Sequence, residues 1–181
     1  MSKPGHFNAA ARWLHWTMSA MIFAMLFIGA GMVSSLSQRP WLIDLHRPLG
    51  IAILLLAAVR LFNRLRHRPP ALPPDLPRWQ VRAATASHWL LYALMFVVPL
   101  VGWLMLSASG QPVSMFAGWQ LPSIAPQDPV LYARLRSAHA LLAWLLFVTV
   151  LMHLAAALHH VWVRRDGVLA GMLGGRPDTR L

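Results

Sequence analysis

One long apolar segment, residues Ala138 to Val163, limits what this chain can fold into. Its ionisable side chains are four histidines, His139, His153, His159 and His160. About 20 apolar residues are enough for a helix to cross the hydrocarbon core of a bilayer. Ionisable side chains within such a span are costly to bury and are usually functional. The segment therefore predicts a transmembrane helix that carries functional histidines.

The spacing of His139 and His153 indicates what these histidines do. Fourteen residues separate them, which is a rise of about 21 Å and just under four turns on an α-helix. Both rings therefore leave a similar face of the helix, one near each edge of a hydrocarbon core about 30 Å thick. This arrangement suits two b-type haems, one in each leaflet, that each take one axial ligand from this helix. The alternative is that both are interior histidines hydrogen-bonded to neighbouring helices.

The composition excludes several other classes of protein. With 57% hydrophobic residues among its 181, the chain is typical of a membrane protein rather than of a soluble domain. The sequence has no cysteine, which excludes disulfides, iron–sulfur clusters and the C-x-x-C-H attachment of c-type haem. It has neither a glycine-rich phosphate loop nor the H-E-x-x-H motif of zinc proteases. Any haem in this chain would be held non-covalently.

We predict an all-α fold, an integral membrane four-helix bundle that forms a single dihaem domain over residues 1–181, with spans at roughly 13–33, 45–65, 86–106 and 138–163. His15, His46 and His88 lie near the starts of the first three spans. The first span begins like a signal peptide but is longer than a normal h-region, so we interpret it as a retained helix. Residues 34–44 are expected to form a short connection. The segment Ser107 to Ser137, which contains Phe116, Trp119 and Leu121, is expected to be a loop that partly lies on the bilayer surface.

The net charge of +11 is distributed unevenly between the two sides of these spans. Two basic residues precede the first span, six lie between Arg60 and Arg82, and four lie in the tail, all on one side. The other side has Arg39, Arg47, Arg134 and Arg136. The positive-inside rule therefore predicts that both termini are cytoplasmic. Because the basic residues follow the spans in this way, they do not indicate a nucleic-acid partner.

This orientation sorts the histidines by depth. His46 and His139 begin the two spans that run inward, at the periplasmic edge, whereas His153 lies near the cytoplasmic edge. The facing helices of a bundle place side chains in a shared core, so one haem could bind between His46 and His139. A second could bind between His153 and either His15 or His88, and the sequence alone does not distinguish these two candidates.

Other polar residues are candidates for contacts with the same cofactors. Arg60, Arg47 and Arg136 could each bind a haem propionate through a bidentate guanidinium, although topology or a solvated surface explains each of them equally well. His159 and His160 lie where the fourth span meets the interface, and an imidazole there could relay protons to a quinone. The alternative is an interfacial pair of histidines with no chemistry.

Several motifs along the chain resemble the bacterial cytochrome b561 family, which is related to the cytochrome b subunits of nickel hydrogenases. The motifs are Leu14-His15-Trp16, His46 with Gly50 and Arg60-Leu61, Ser87-His88, Gly110-Gln111-Pro112, His139 with His153, and Ala-Leu-His159-His160. The resemblance covers nearly the whole chain. It implies two haem b groups held by His15 with His153 and by His46 with His139. His88 would then lie beside a haem or near the quinone.

The resemblance implies a quinone-linked oxidoreductase that uses ubiquinone as its electron acceptor. Some members oxidise superoxide at the periplasmic face, and the outer arginines of this chain would attract such a small anion. The alternative is a cytochrome b membrane anchor that carries electrons for a separate dehydrogenase or hydrogenase, with the loop at 107–137 as its docking surface for that protein partner. A histidine-based metal transporter is disfavoured, because none of the five acidic residues lies within a predicted span.

Overall fold

A computed structural model of the chain describes residues 7–67, 70, 75–115, 118–166 and 168–174. Its main elements are four long helices: α1 (Ala9–Ser34), α2 (Arg39–Arg66), α3 (Arg78–Ala108) and α4 (Pro129–His159). A π-helical turn (His160–Arg164) continues α4, and a short helix α5 (Val168–Leu173) follows it. Each long helix has the length and composition needed to cross a membrane. The prediction of an all-α membrane fold with four spans is therefore confirmed.

All four helices begin earlier than the apolar pattern predicts, at Ala9, Arg39, Arg78 and Pro129 rather than at about 13, 45, 86 and 138. Helix α2 begins at Arg39, so the connection expected at 34–44 shrinks to residues 35–38. Helix α4 begins at Pro129, where the Asp128 carboxylate accepts hydrogen bonds from the backbone amides of Val130 (2.8 Å) and Leu131 (3.0 Å). A carboxylate cap followed by proline in the first turn favours a helix start. The predicted loop at 107–137 was therefore too long, because a helix can extend beyond the apolar residues that mark its membrane span.

The helices pack as an antiparallel bundle in which α1 contacts α2, α2 contacts α3 and α3 contacts α4. A buried cluster joins the first three helices: Met18, Ile22, Ile53, Ala57, Tyr92 and Met95. We call the end of the bundle where α1 begins and α4 ends the terminal end, and the opposite end the hairpin end. Many large apolar side chains on the outer faces are exposed, as expected for surfaces that meet lipid.

A small β-hairpin folds over the hairpin end, where the sequence predicted only a loop. Strands β1 (Val113–Ser114) and β2 (Gln120–Leu121) pair antiparallel. The Trp103 indole donates a hydrogen bond to the carbonyl of Pro122 (3.0 Å), and the Ser107 hydroxyl accepts one from the amide of Ile124 (3.1 Å). Of the aromatic residues expected near the bilayer surface, Trp119 is exposed and Phe116 lies outside the described residues.

Candidate functional site

The predicted ligand histidines lie in two groups at opposite ends of the bundle. At the hairpin end, the rings of His46 on α2 and His139 on α4 have centroids 6.2 Å apart, with their planes at 69°. At the terminal end, His15 on α1 and His153 on α4 have centroids 6.4 Å apart, with their planes at 73°. Helix α4 therefore contributes one half-buried imidazole to each group.

These separations fit two imidazoles on opposite sides of one metal ion. A metal–imidazole nitrogen bond is about 2 Å long, and the ring centroid lies about 1 Å beyond that nitrogen, so two axial rings have centroids about 6 Å apart. Both pairs match this value. They also come from different helices, so a planar macrocycle could lie between facing helices of the bundle.

A third histidine, His88 on α3, also reaches the terminal end. Its ring centroid lies 5.4 Å from that of His153, with the planes at 66°. This distance is shorter than either of the other two separations, which agree with each other within 0.2 Å. Three rings thus converge at the terminal end, and only the His15–His153 pair repeats the spacing found at the hairpin end.

Two ring nitrogens in these groups lack an ordinary partner. Nδ1 of His15 and Nδ1 of His46 are buried and have no hydrogen-bond partner within the part of the chain that the structure describes. Buried polar atoms in proteins are almost always paired. A bound group could satisfy these two Nδ1 atoms, which no described residue satisfies.

His139 has a partner that fixes its tautomer. Its Nδ1 lies 3.1 Å from the carbonyl oxygen of Val98 on α3, so Nδ1 donates and the lone pair stays on Nε2. Gly102 makes this approach possible, because a Cβ atom there would lie 3.1 Å from Cε1 of His139. Sequence reasoning missed both Val98 and Gly102. Its only available signal was a glycine within an apolar span, which is common in membrane helices.

At the terminal end, Arg60 lies beside the histidine group. Its Nε donates a hydrogen bond to the hydroxyl of buried Tyr92 (3.2 Å), and its charge acts on His15, His88 and His153. The Arg64 guanidinium, one turn further along α2, lies 5.5 Å from the centroid of the Tyr92 ring and 5.7 Å from that of Trp89. Tyr92 and Arg64 were not among the predicted site residues.

At the hairpin end, Arg47 adjoins His46 and its charge acts on that ring. The Nη2 atom of Arg47 donates to the side-chain oxygen of Gln111 (3.2 Å), and its Nε is buried without a partner among the described residues. Gln111 belongs to the Gly-Gln-Pro motif found in the sequence. Arg136, the third predicted propionate contact, has an exposed side chain on α4.

His160 belongs to a polar network beyond the end of α4, whereas His159 is exposed. Nδ1 of His160 lies 2.6 Å from Oδ2 of Asp166, which also accepts from Nε of Arg164 at 3.1 Å. Arg164 in turn donates to Asp75 at 2.5 Å. Burial would raise the pKa of the Asp166 carboxyl, but the hydrogen bonds from His160 and Arg164 lower it below its usual value. Sequence reasoning missed Asp166, although a single acid six residues after a histidine at a span end was a usable signal.

Comparison with known proteins gives consistent matches over almost the full length. A family model described as prokaryotic cytochrome b561 matches residues 6–175. The chain is 28% identical to cytochrome b561 homolog 2 of Escherichia coli K12 over 174 residues, which cover 94% of this chain and 93% of that protein. It is 30% identical over 161 residues to a protein of Yersinia pestis named "Probable superoxide oxidase CybB", covering 88% of this chain and 91% of that protein.

Proposed function

The chain belongs to the prokaryotic cytochrome b561 family, a family of haem b proteins that transfer electrons in the bacterial inner membrane, and from this premise we propose that it is a dihaem quinone reductase. In this proposal one domain holds two haem b groups, takes electrons from a periplasmic donor and passes them to ubiquinone. The observation that carries it is the pair of equally spaced histidine couples, at 6.4 and 6.2 Å, that α4 shares with α1 and with α2.

In this proposal His15 with His153 would hold one haem iron, and His46 with His139 would hold the other. A haem bound at each pair supplies a one-electron iron couple. The protein supplies the two imidazoles and the apolar packing around them, and α4 places the pairs at opposite ends of one helix. The shorter His88–His153 separation supports His15 rather than His88 as the fourth ligand, with His88 lying beside the haem edge.

Arginines near each pair could bind the propionates of the haems. Arg60 lies at the terminal end and Arg47 at the hairpin end, and each acts electrostatically on a proposed ligand. The Nε of Arg47 is buried without a partner among the described residues, and a propionate oxygen would satisfy it. The exposed Arg136 side chain has less support as a propionate contact, because it can remain solvated.

We assign the terminal end to the cytoplasm and the hairpin end to the periplasm. This assignment rests on the excess of arginine and lysine in the segments next to the terminal end. It places the His15–His153 pair on the cytoplasmic side and the His46–His139 pair on the periplasmic side.

The quinone is expected near His160, at the cytoplasmic end of α4. Quinone reduction takes up protons as well as electrons, so a proton donor beside the quinone is needed. His160 is better suited to this role than His159, because Asp166 binds its Nδ1 and leaves Nε2 to exchange a proton.

The donor is proposed to be a small anion such as superoxide, which the name of the Yersinia pestis relative mentions. The described residues of the hairpin end include four arginines and two carboxylates: Arg39, Arg47, Arg134 and Arg136 against Asp44 and Asp128. A positive surface of this kind raises the local concentration of anions.

A second candidate is a cytochrome b subunit that carries electrons for a separate dehydrogenase or hydrogenase. The observation that favours it is the hairpin, which presents a Trp119 side chain that is 79% exposed and could contact a protein partner. The purified chain alone, mixed with superoxide and ubiquinone, separates the candidates. Quinol formation without a partner supports the first. Haem reduction only when a partner protein is added supports the second.

A further inference from the structure

The two arginines at the terminal end form a positively charged cluster with Tyr92. Arg60 and Arg64 lie one turn apart on the same face of α2, and both approach the Tyr92 side chain, which is 6% exposed. The Tyr92 hydroxyl accepts the hydrogen bond from Arg60, so it fixes a guanidinium that is otherwise attached by a long flexible chain.

No carboxylate of the described residues pairs with either arginine. The ion pairs within the described ranges all lie in the Asp75–Arg164–Asp166–His160 network. No described residue therefore compensates the charge of Arg60, and this charge acts on all three histidines of the terminal end. A positive charge near an iron centre stabilises its reduced form, which carries one positive charge less.

The hairpin end differs in two ways. Arg47 acts on His46 but not on His139, whereas Arg60 acts on both His15 and His153. In addition, the ligand His139 donates a hydrogen bond from Nδ1 to the Val98 carbonyl. Such a hydrogen bond makes the imidazole a stronger electron donor to the metal, and this favours the oxidised form of the iron. Both differences make the reduction potential of an iron at the terminal end higher than that of an iron at the hairpin end.

We infer that Arg60 and Arg64, with Tyr92 as the residue that positions Arg60, raise the reduction potential of the terminal-end haem above that of the hairpin-end haem. This inference rests on the proposed dihaem function and assigns a direction to the electron transfer between the two haems. Transfer of one electron from the hairpin-end haem to the terminal-end haem would oxidise the hairpin-end iron and reduce the terminal-end iron. No proton is exchanged in this step. The cluster makes that transfer favourable.

The test is a redox titration of the purified full-length protein, followed by its visible spectrum, after its haem content has been measured. In the unchanged protein we expect two midpoint potentials. Arg60→Gln should lower the higher one and leave the lower one in place, changing the equilibrium between the haems about tenfold, the effect of a nearby unit charge in a protein interior. For one electron a tenfold change is about 59 mV. Tyr92→Phe should shift the same potential in the same direction by a smaller amount.

Arg66→Gln is the matched control. It removes one positive charge from the same helix, and the Arg66 guanidinium lies over the ring of Phe62. It should move neither potential. If the protein holds two haems and neither Arg60→Gln nor Tyr92→Phe lowers the higher potential, this inference is wrong and the dihaem proposal stands. One haem per chain would overturn the proposal and the inference together. If Arg60→Gln does not fold, the conservative Tyr92→Phe variant decides the question alone.

Discussion

The two ring nitrogens of His139 have different surroundings, and this difference determines which of them is available to a metal. Nδ1 faces the Val98 carbonyl at 3.1 Å and carries the proton, so Nε2 is the free ligand atom. The backbone of α3 therefore orients a side chain of α4. Gly102 allows this contact because it has no Cβ atom, which would otherwise meet the imidazole at 3.1 Å.

We expect Gly102→Ala to displace the His139 ring and weaken the hairpin-end haem while leaving the terminal-end haem in place. The added methyl group would be closer to the ring than an ordinary van der Waals contact. Haem quantitation and a reduced-minus-oxidised spectrum measure the loss. Gly29→Ala is the control, since a Cβ atom there meets nothing within 4 Å. Equal effects of the two substitutions would contradict this role for Gly102.

Single substitutions also test whether His15 or His88 is the ligand that pairs with His153. His15→Ala should remove the terminal-end haem and leave one haem per chain, because His153 loses the partner whose ring is correctly spaced. His88→Ala should leave both haems bound. Haem content measures both results. Loss of a haem from the His88→Ala protein but not from the His15→Ala protein would show that the ligand assignment is wrong although the bundle is right.

At the scale of the elements, the end of α4 is shaped by a few polar residues. The π-helical turn ends at Arg165, which adopts a left-handed conformation with φ of 52°, and Asp166 then caps α5 through the amide of Val168 at 3.3 Å. The Trp16 indole donates to the Met172 carbonyl at 3.2 Å. Helix α5 is thereby attached to α1 beside the terminal-end histidines.

Asp166→Asn should loosen this attachment at neutral pH, and acid should do the same to the unchanged protein. Hydrogen bonds lower the pKa of the folded Asp166 carboxyl. Its stabilising effect is therefore present above the unfolded pKa, about 3.9, and is lost as the pH falls through the lower folded value. Hydrogen exchange of the amides in α5 is the measurement. Unchanged protection in the Asp166→Asn protein would argue against the role of this carboxylate.

The elements could be predicted from the sequence to different degrees. Apolar run length located all four membrane helices, because the bilayer requires continuous apolar segments. The same signal could not locate the helix starts at Arg39 and Pro129. Both helices have proline in the first turn, and the Asp128 side chain caps the second of them. The two-residue strands of the hairpin depend on contacts with the bundle, so local sequence could not specify them.

At the scale of the whole molecule, helix order and spacing fix which residues meet. The spacing on α4 was enough to predict that His139 and His153 occupy different depths, and depth also paired His46 with His139. The family resemblance favoured His15 over His88 as the proposed partner of His153. The Tyr92–Arg60 and His160–Asp166 contacts could not be predicted in the same way. They join residues far apart in the sequence, or across a turn of unusual geometry, and each depends on how the helices rotate against one another.

The proposed orientation predicts where reporters fused to the chain will be active. Alkaline phosphatase requires disulfides, which form in the periplasm. A fusion after Ser37, between α1 and α2, should therefore be active, and a fusion at the C-terminus should be inactive. Green fluorescent protein at the C-terminus should fluoresce. The reverse pattern of phosphatase activity would contradict cytoplasmic termini.

The number of haem groups per chain tests the dihaem arrangement most directly. Haem b should be extracted and quantified from the purified protein against its amino-acid content. We predict two haem b per chain, both with low-spin spectra, because two histidine couples with matching separations lie at opposite ends of the bundle. A ratio of one haem per chain in a fully loaded preparation, with His15, His46, His139 and His153 all intact, would contradict it.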